Sequence, residues 1–167
     1  MIRKPNVRNN VPCEMSPAIM TKHIYIDVCA LSRPFDDQSY IRIRLETEAI
    51  NLILSKVREG DLKLLFSSAH KLEIDAIPDA FERVELEAIL DGFGEPVKGD
   101  ISKMRARAED LVSSGFGIAD AAHVAFAESN GAEFITCDGR LLKKCLTHKI
   151  KVWCGNPISF CEKEGLR

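Results

Sequence analysis

Short apolar runs of strand-like composition alternate along this chain with longer stretches of helical spacing. His23-Ile-Tyr-Ile-Asp27, Leu62 to Phe66, Glu133 to Thr136 and Lys149 to Trp153 are each too short for a buried helix. They are rich in aliphatic and aromatic residues, so they read as strands. From Ser39 to Glu59, the apolar residues Leu45, Ala49, Leu52, Ile53 and Val57 recur at helical spacing, and Gly60 stops the helix. Ser67 and Ser68 are N-cap residues for a helix to about Ile77, and Pro78 suits the first turn of the next one, with Phe81, Val84, Leu86 and Ile89 after it. The glycines and proline from Gly92 to Gly99 break the chain. Asp100 opens a helix to about Val112, an Ala-rich helix covers Ile118 to Ser129, and another covers Arg140 to Thr147. Strands connected through helices must run parallel and be covered on both faces. The pattern predicts a three-layer α/β/α fold around a central parallel sheet.

The chain has 167 residues, of which 46% are hydrophobic. That length and apolar share suit one compact domain over residues 23–167, and they exclude a disordered chain. Residues 1–22 hold three prolines, adjacent asparagines and scattered charge with no period, and read as a flexible N-terminal arm. The 23 basic and 25 acidic residues leave a formal charge of -2, so bulk positive charge does not hold this chain on nucleic acid. A contact of that kind needs a local basic patch. No stretch approaches the ~18 apolar residues of a membrane span, and no apolar core follows the N-terminal basic residues as in a secretory signal. The expected location is cytoplasmic, without a membrane partner. The six cysteines form no C-x-x-C pair, which weakens a zinc-finger reading. They read as reduced, half-buried thiols.

Four carboxylates stand where packing alone would not place them. Asp27 ends the first strand, and an acid there needs a partner. Asp138 directly follows the third strand, Asp120 lies in the first turn of the Ala-rich helix, and Glu73 lies in the helix after the second strand. Each has a plainer role open to it: a helix dipole partner at Asp120, an N-cap at Asp138, a solvated helix face at Glu73. Strand ends and the starts of the following helices share one edge of such a sheet, where ligands bind. Two bare carboxylates ~5 Å apart repel by about 3 kcal/mol at an effective dielectric near ~20. A cluster of them needs a cation or a shifted pKa, and hard oxygen ligands favour Mg²⁺ or Mn²⁺ over zinc.

The segments Ile24-Tyr-Ile-Asp-Val-Cys-Ala-Leu31, Ser67-Ser-Ala-His-Lys-Leu-Glu73, Ile118-Ala-Asp-Ala-Ala-His-Val-Ala-Phe-Ala127 and Phe134-Ile-Thr-Cys-Asp138 resemble, in order and spacing, those of the PIN domain nucleases. The ending Val152-Trp-Cys-Gly-Asn-Pro157 looks like that family's last strand and Asn-Pro turn. The resemblance runs from His23 to about Phe160. It implies that Asp27, Glu73, Asp120 and Asp138 form the catalytic set and hold one or two Mg²⁺ or Mn²⁺ ions. It implies hydrolysis of an RNA phosphodiester by a metal-activated water, leaving 5′-phosphate and 3′-hydroxyl ends. Such an attack does not use the ribose 2′-OH, so single-stranded DNA remains open as a substrate. The family often carries Thr-Asn after its first aspartate, where this chain has Val28-Cys29. Many members look like the ribonuclease toxins of toxin–antitoxin pairs (VapC type), which implies an antitoxin partner and a homodimer.

Substrate grip falls to basic residues around the acids: Arg33, Lys71, Arg140 and Lys143, with His70 and Lys144 beside them. Thr136 is grouped with these as a hydroxyl available behind the acids. His123 lies three residues beyond Asp120 on nearly the same helix face, and reads as a packed or merely exposed histidine, or as one that orients a ligand or touches the substrate. Two other readings stay open. A degenerate PIN domain would bind RNA or a protein without cutting. A phosphoaspartate receiver or phosphatase would want paired acids at the first strand end, and Asp27 has no acidic neighbour before Asp36.

Overall fold

A computed structural model describes residues 21–167. Strand β1 (Lys22–Ile26) lies at the centre of the sheet, and α1 (Val28–Leu31) and a 3₁₀ turn (Arg33–Phe35) follow it. Next come α2 (Ile41–Glu59), β2 (Leu62–Phe66), α3 (Ser68–Asp75), α4 (Ala80–Phe93) and β3 (Gly94–Pro96). The second half holds α5 (Ile101–Ser113), α6 (Ile118–Ser129), β4 (Glu133–Ile135), α7 (Gly139–Thr147), β5 (Cys154–Gly155) and α8 (Pro157–Glu164). The sheet order is β3-β2-β1-β4-β5 and every pairing is parallel.

Period-two alternation along the strands separates two cores. Ile24 and Ile26 of β1, Leu64 of β2 and Ile135 of β4 face one side, against α2, α4 and Phe160 of α8. Tyr25, Leu65 and Phe134 face the other, against α5, α6 and α7. Tyr25, Ile24, Ile26, Leu64 and Phe134 are all fully buried, and each aliphatic side chain so removed from water contributes about 1.5–3 kcal/mol. This is the three-layer α/β/α arrangement that the sequence pattern predicts.

Several boundaries differ from expectation. The fourth strand forms at Cys154–Gly155 rather than over Lys149 to Trp153, because the pairing with β4 is made from Trp153 O and Gly155 O to the amides of Phe134 and Thr136. The broken stretch after Gly92 contains a paired edge strand, β3. Helix α8 was not expected, although Asn156 caps it and Pro157 stands at its first position. The arm expected over residues 1–22 lies, up to position 20, outside the described residues. Lys22 is part of β1, where it pairs with Leu62 and its ammonium reaches Glu164. The five cysteines among the described residues are free thiols, while Cys13 lies outside them. No helix among the described residues is long and apolar enough to cross a membrane.

Candidate metal centre

The chain leaves β1 at Asp27, which caps α1 through its backbone: its carbonyl accepts from the amides of Ala30 and Leu31. The Asp27 side chain is therefore not used as a cap. It is buried at 6% exposure, and Oδ2 accepts from Thr136 Oγ1 at 2.7 Å and from Cys29 Sγ at 3.1 Å. Thr136 Oγ1 in turn accepts from the Asp138 amide at 3.1 Å, so one hydroxyl ties the ends of β1 and β4 together. At the departure Val28-Cys29, Val28 packs into the core and Cys29 braces the acid. Burial, and then the Asp27 charge, push the Cys29 thiol up, so it stays protonated and able to donate.

Strand β2 ends at Phe66, and Ser67 caps α3 with its hydroxyl accepting from the Ala69 amide. His70 completes a capping box, its Nδ1 accepting from the Ser67 amide at 3.1 Å. Glu73 follows one turn later with its side chain 35% exposed. Across from it, His123 of α6 is 1% exposed, and its Nε2 lies 3.1 Å from Glu73 Oε2. Asp27, Glu73 and His123 each offer a ligand atom, and these three atoms lie within 4.8 Å of one another.

Asp120 and Asp138 share this edge but stand outside that group of three. Asp138 is exposed, and its Oδ1 caps α7 by accepting from the amides of Arg140 at 2.7 Å and Leu141 at 3.1 Å. Asp120 lies in the first turn of α6 beside Gly117, where an added Cβ would come within 3.0 Å of Asp120 Oδ2. Burial, then the charges of Asp27 and Asp138, raise the Asp120 carboxyl above its ordinary value. A carboxyl raised in the folded state binds a proton that the unfolded chain has already lost. Ionised Asp120 therefore costs stability above its folded pKa, and the cost disappears as pH falls below the unfolded value. Asp120→Asn should raise the unfolding midpoint by about 1–3 °C at pH 7.5 in EDTA, after allowance for its partial exposure. The gap should close near pH ~3. Calorimetry at both pH values checks this, and an unchanged or lowered midpoint at pH 7.5 would contradict it.

The expected substrate contacts divide. Lys71 is largely exposed, with Nζ 4.0 Å from Asp91 Oδ1, and Arg140 and Lys143 are exposed near the start of α7. Arg33 is held instead by Glu46 and Asp36, each 2.6 Å from a guanidinium nitrogen, and Glu46 is buried. Thr136 is fully buried, and its hydroxyl donates to Asp27 Oδ2. His70 is fully buried too, and both its ring nitrogens are bonded. Lys144 donates to Gly115 O. The sequence reading of His123 covers a packed, exposed, ligand-orienting or substrate-touching residue, but not a metal ligand. Its three-residue spacing from Asp120 was the available signal.

Among solved structures, the crystal structure of FitAcB from Neisseria gonorrhoeae is similar to this chain, with a TM-score of 0.50. The two are 17% identical, and the match covers 80% of this chain and 97% of that one. The fold is PIN-like. At this identity the likeness is one of architecture. No family model matches the sequence, and no curated protein does.

Proposed function

We propose that this chain is a divalent-metal-dependent endoribonuclease, acting as the toxin of a toxin–antitoxin pair and forming a homodimer. The observation that carries the metal-dependent reading is the group of Asp27, Glu73 and His123 at the carboxyl edge of a parallel sheet with a PIN-like fold. That is the edge where open α/β sheets bind ligands. The donor set fits a cation. Among the described residues, no Lys or Arg lies within ion-pair distance of Asp27, Glu73, Asp120 or Asp138, although Lys144 acts on Asp120 from further away. The toxin and homodimer parts rest on the sequence resemblance.

Asp27 and Glu73 would hold the ion, with Asp120 and Asp138 beside them. A bound Mg²⁺ or Mn²⁺ supplies Lewis acidity and lowers the pKa of water next to the scissile phosphate. The protein's own groups do the rest. Thr136 and Cys29 keep the Asp27 carboxylate in one orientation through Oδ2. Asp120, in the first turn of α6 at the same edge, would take a proton from the attacking water. Exposed Lys71, Arg140 and Lys143 supply positive charge for the RNA backbone. The alternative of a PIN-like module that binds without cutting is disfavoured by the bracing of Asp27, since a pure RNA binder has no use for an oriented buried carboxylate.

The test uses 5′-labelled single-stranded RNA with Mg²⁺, with Mn²⁺ and with EDTA. Expected are metal-dependent fragments with 3′-hydroxyl ends that vanish in EDTA. Absence of cutting together with absence of Mn²⁺ uptake in a calorimetric titration would overturn the reading.

A further inference from the structure

We propose that His123 is a metal ligand, and that its Nε2 together with the Asp27 and Glu73 carboxylates forms a mixed nitrogen–oxygen site that prefers Mn²⁺ or Co²⁺ to Mg²⁺. This rests on the reading of the site as a divalent-metal centre.

Three observations support it. First, Nε2 is buried with no hydrogen-bond partner, although Glu73 Oε2 is only 3.1 Å away. The two atoms are close but not aligned as donor and acceptor. A divalent ion with ligands at about 2.1 Å holds adjacent donors about 3.0 Å apart when they subtend a right angle. The 3.1 Å separation is one that two ligands of a single ion would have.

Second, the far side of the ring is anchored. His123 Nδ1 lies 2.8 Å from Tyr25 Oη, which lies 2.6 Å from Ser67 Oγ. With the proton on Nδ1, Tyr25 Oη accepts it and passes its own to Ser67 Oγ, leaving a lone pair on Nε2. Metal-bound histidines characteristically have their second nitrogen fixed in this way.

Third, the neighbouring histidine is excluded. The His70 ring lies 5.0 Å from that of His123, but its Nδ1 accepts from the Ser67 amide and its Nε2 donates to Ile26 O at 2.8 Å. Of these two buried histidines, His123 alone has a nitrogen to offer.

An imidazole donor changes what the site selects. Mg²⁺ takes hard oxygen ligands and keeps several waters, whereas imidazole suits transition-metal ions. The test is binding, not cleavage. Calorimetric titrations with Mn²⁺, Co²⁺ and Mg²⁺ are run on the wild-type protein, on His123→Gln and on Tyr25→Phe, with pulsed EPR of the Mn²⁺-loaded samples. The wild type should bind Mn²⁺ at least about 10-fold more tightly than Mg²⁺, with directly coupled ¹⁴N in the EPR spectrum. His123→Gln should lose that coupling and about 10-fold or more in Mn²⁺ affinity while Mg²⁺ binding changes little. Tyr25→Phe should keep the coupling and bind Mn²⁺ more weakly. Mn²⁺ bound without ¹⁴N coupling in the wild type overturns the ligand assignment, whether or not either variant folds, and leaves the carboxylate site standing. Equal losses for Mg²⁺ and Mn²⁺ in a folded His123→Gln overturn it as well. If the wild type takes up no metal at all, the metal-centre reading falls together with this one.

Discussion

Asp27→Asn should abolish metal-dependent RNA cleavage, a loss of about 10³-fold or more, without unfolding the protein. Lewis-acid stabilisation of the transition state is worth several kcal/mol, and ~4 kcal/mol corresponds to about 10³ in rate. Asn matches Asp in shape but carries no charge for a cation. The fold has little reason to respond. The α1 cap uses the Asp27 backbone carbonyl, which the substitution keeps. An Asn amide oxygen can still accept from Thr136 Oγ1 and Cys29 Sγ where Oδ2 does now. Removing a buried negative charge also relieves Asp120, which feels that charge. The unfolding midpoint should therefore stay level or rise in EDTA. Two measurements decide the matter: single-turnover cleavage of labelled RNA in Mn²⁺, and thermal unfolding of the same preparation. Cleavage within about 10-fold of wild type by a folded variant would show that Asp27 is not at the reacting centre.

The architecture was readable in the sequence because its determinants are local. β1, β2 and β4 each end on an apolar run, Ile24 to Ile26, Leu64 to Phe66 and Phe134 to Ile135, and burial of the strand on both faces requires that composition. The Ala-rich helix was placed at Ile118–Ser129, where α6 lies, because Gly117 and Asn130-Gly131 bracket it. What the sequence does not show depends on contacts distant in sequence. Gly94-Glu95-Pro96 has the composition of a turn, and only pairing with Leu64, Leu65 and Phe66 makes it a strand. A Cβ at Gly94 would lie 2.6 Å from Leu90 O and 2.7 Å from Phe66 Cδ1, so the residue that reads as a breaker is required by a close approach. At the candidate site, the sequence pointed to strand ends and helix starts, and the structure places Asp27, Glu73, Asp120 and Asp138 along one edge. It could not rank them. Asp138 turned out to cap α7, as its plainer reading allowed. His123 entered the group in place of a carboxylate because α6 turns that face inward, toward Tyr25 and Glu73. A three-residue spacing specifies a helix face but not what it meets.

Lowering the pH from 7 to 5 in EDTA should cost the fold about 2 kcal/mol through His70 alone. Burial, then the adjacent His123, hold the His70 imidazole at about 3 against an ordinary 6.5, with the hydrogen bond to Ile26 O and the Glu73 charge acting the other way. Tyr25 packs on the ring at 4.5 Å between centroids and brings no charge at these pH values. A histidine with a depressed folded pKa binds its proton in the unfolded chain first, so stability is full above about 6.5 and falls as pH drops toward 3. Over two pH units, starting just above the unfolded pKa, the linkage integrates to about 2 kcal/mol. The neutral ring is needed because protonation would place a donor where Nδ1 must accept from the Ser67 amide. That bond anchors the start of α3, and α3 carries Glu73, so acid should loosen the metal site before the rest of the sheet. His70→Ala should cost about 3 kcal/mol at pH 7, from a cavity and two unsatisfied backbone groups at Ser67 and Ile26. Its urea-unfolding stability should then approach that of wild type by about 2 kcal/mol on going to pH 5, since the variant has no such proton to take up. Parallel stability curves for the two proteins would mean that another group governs the acid response.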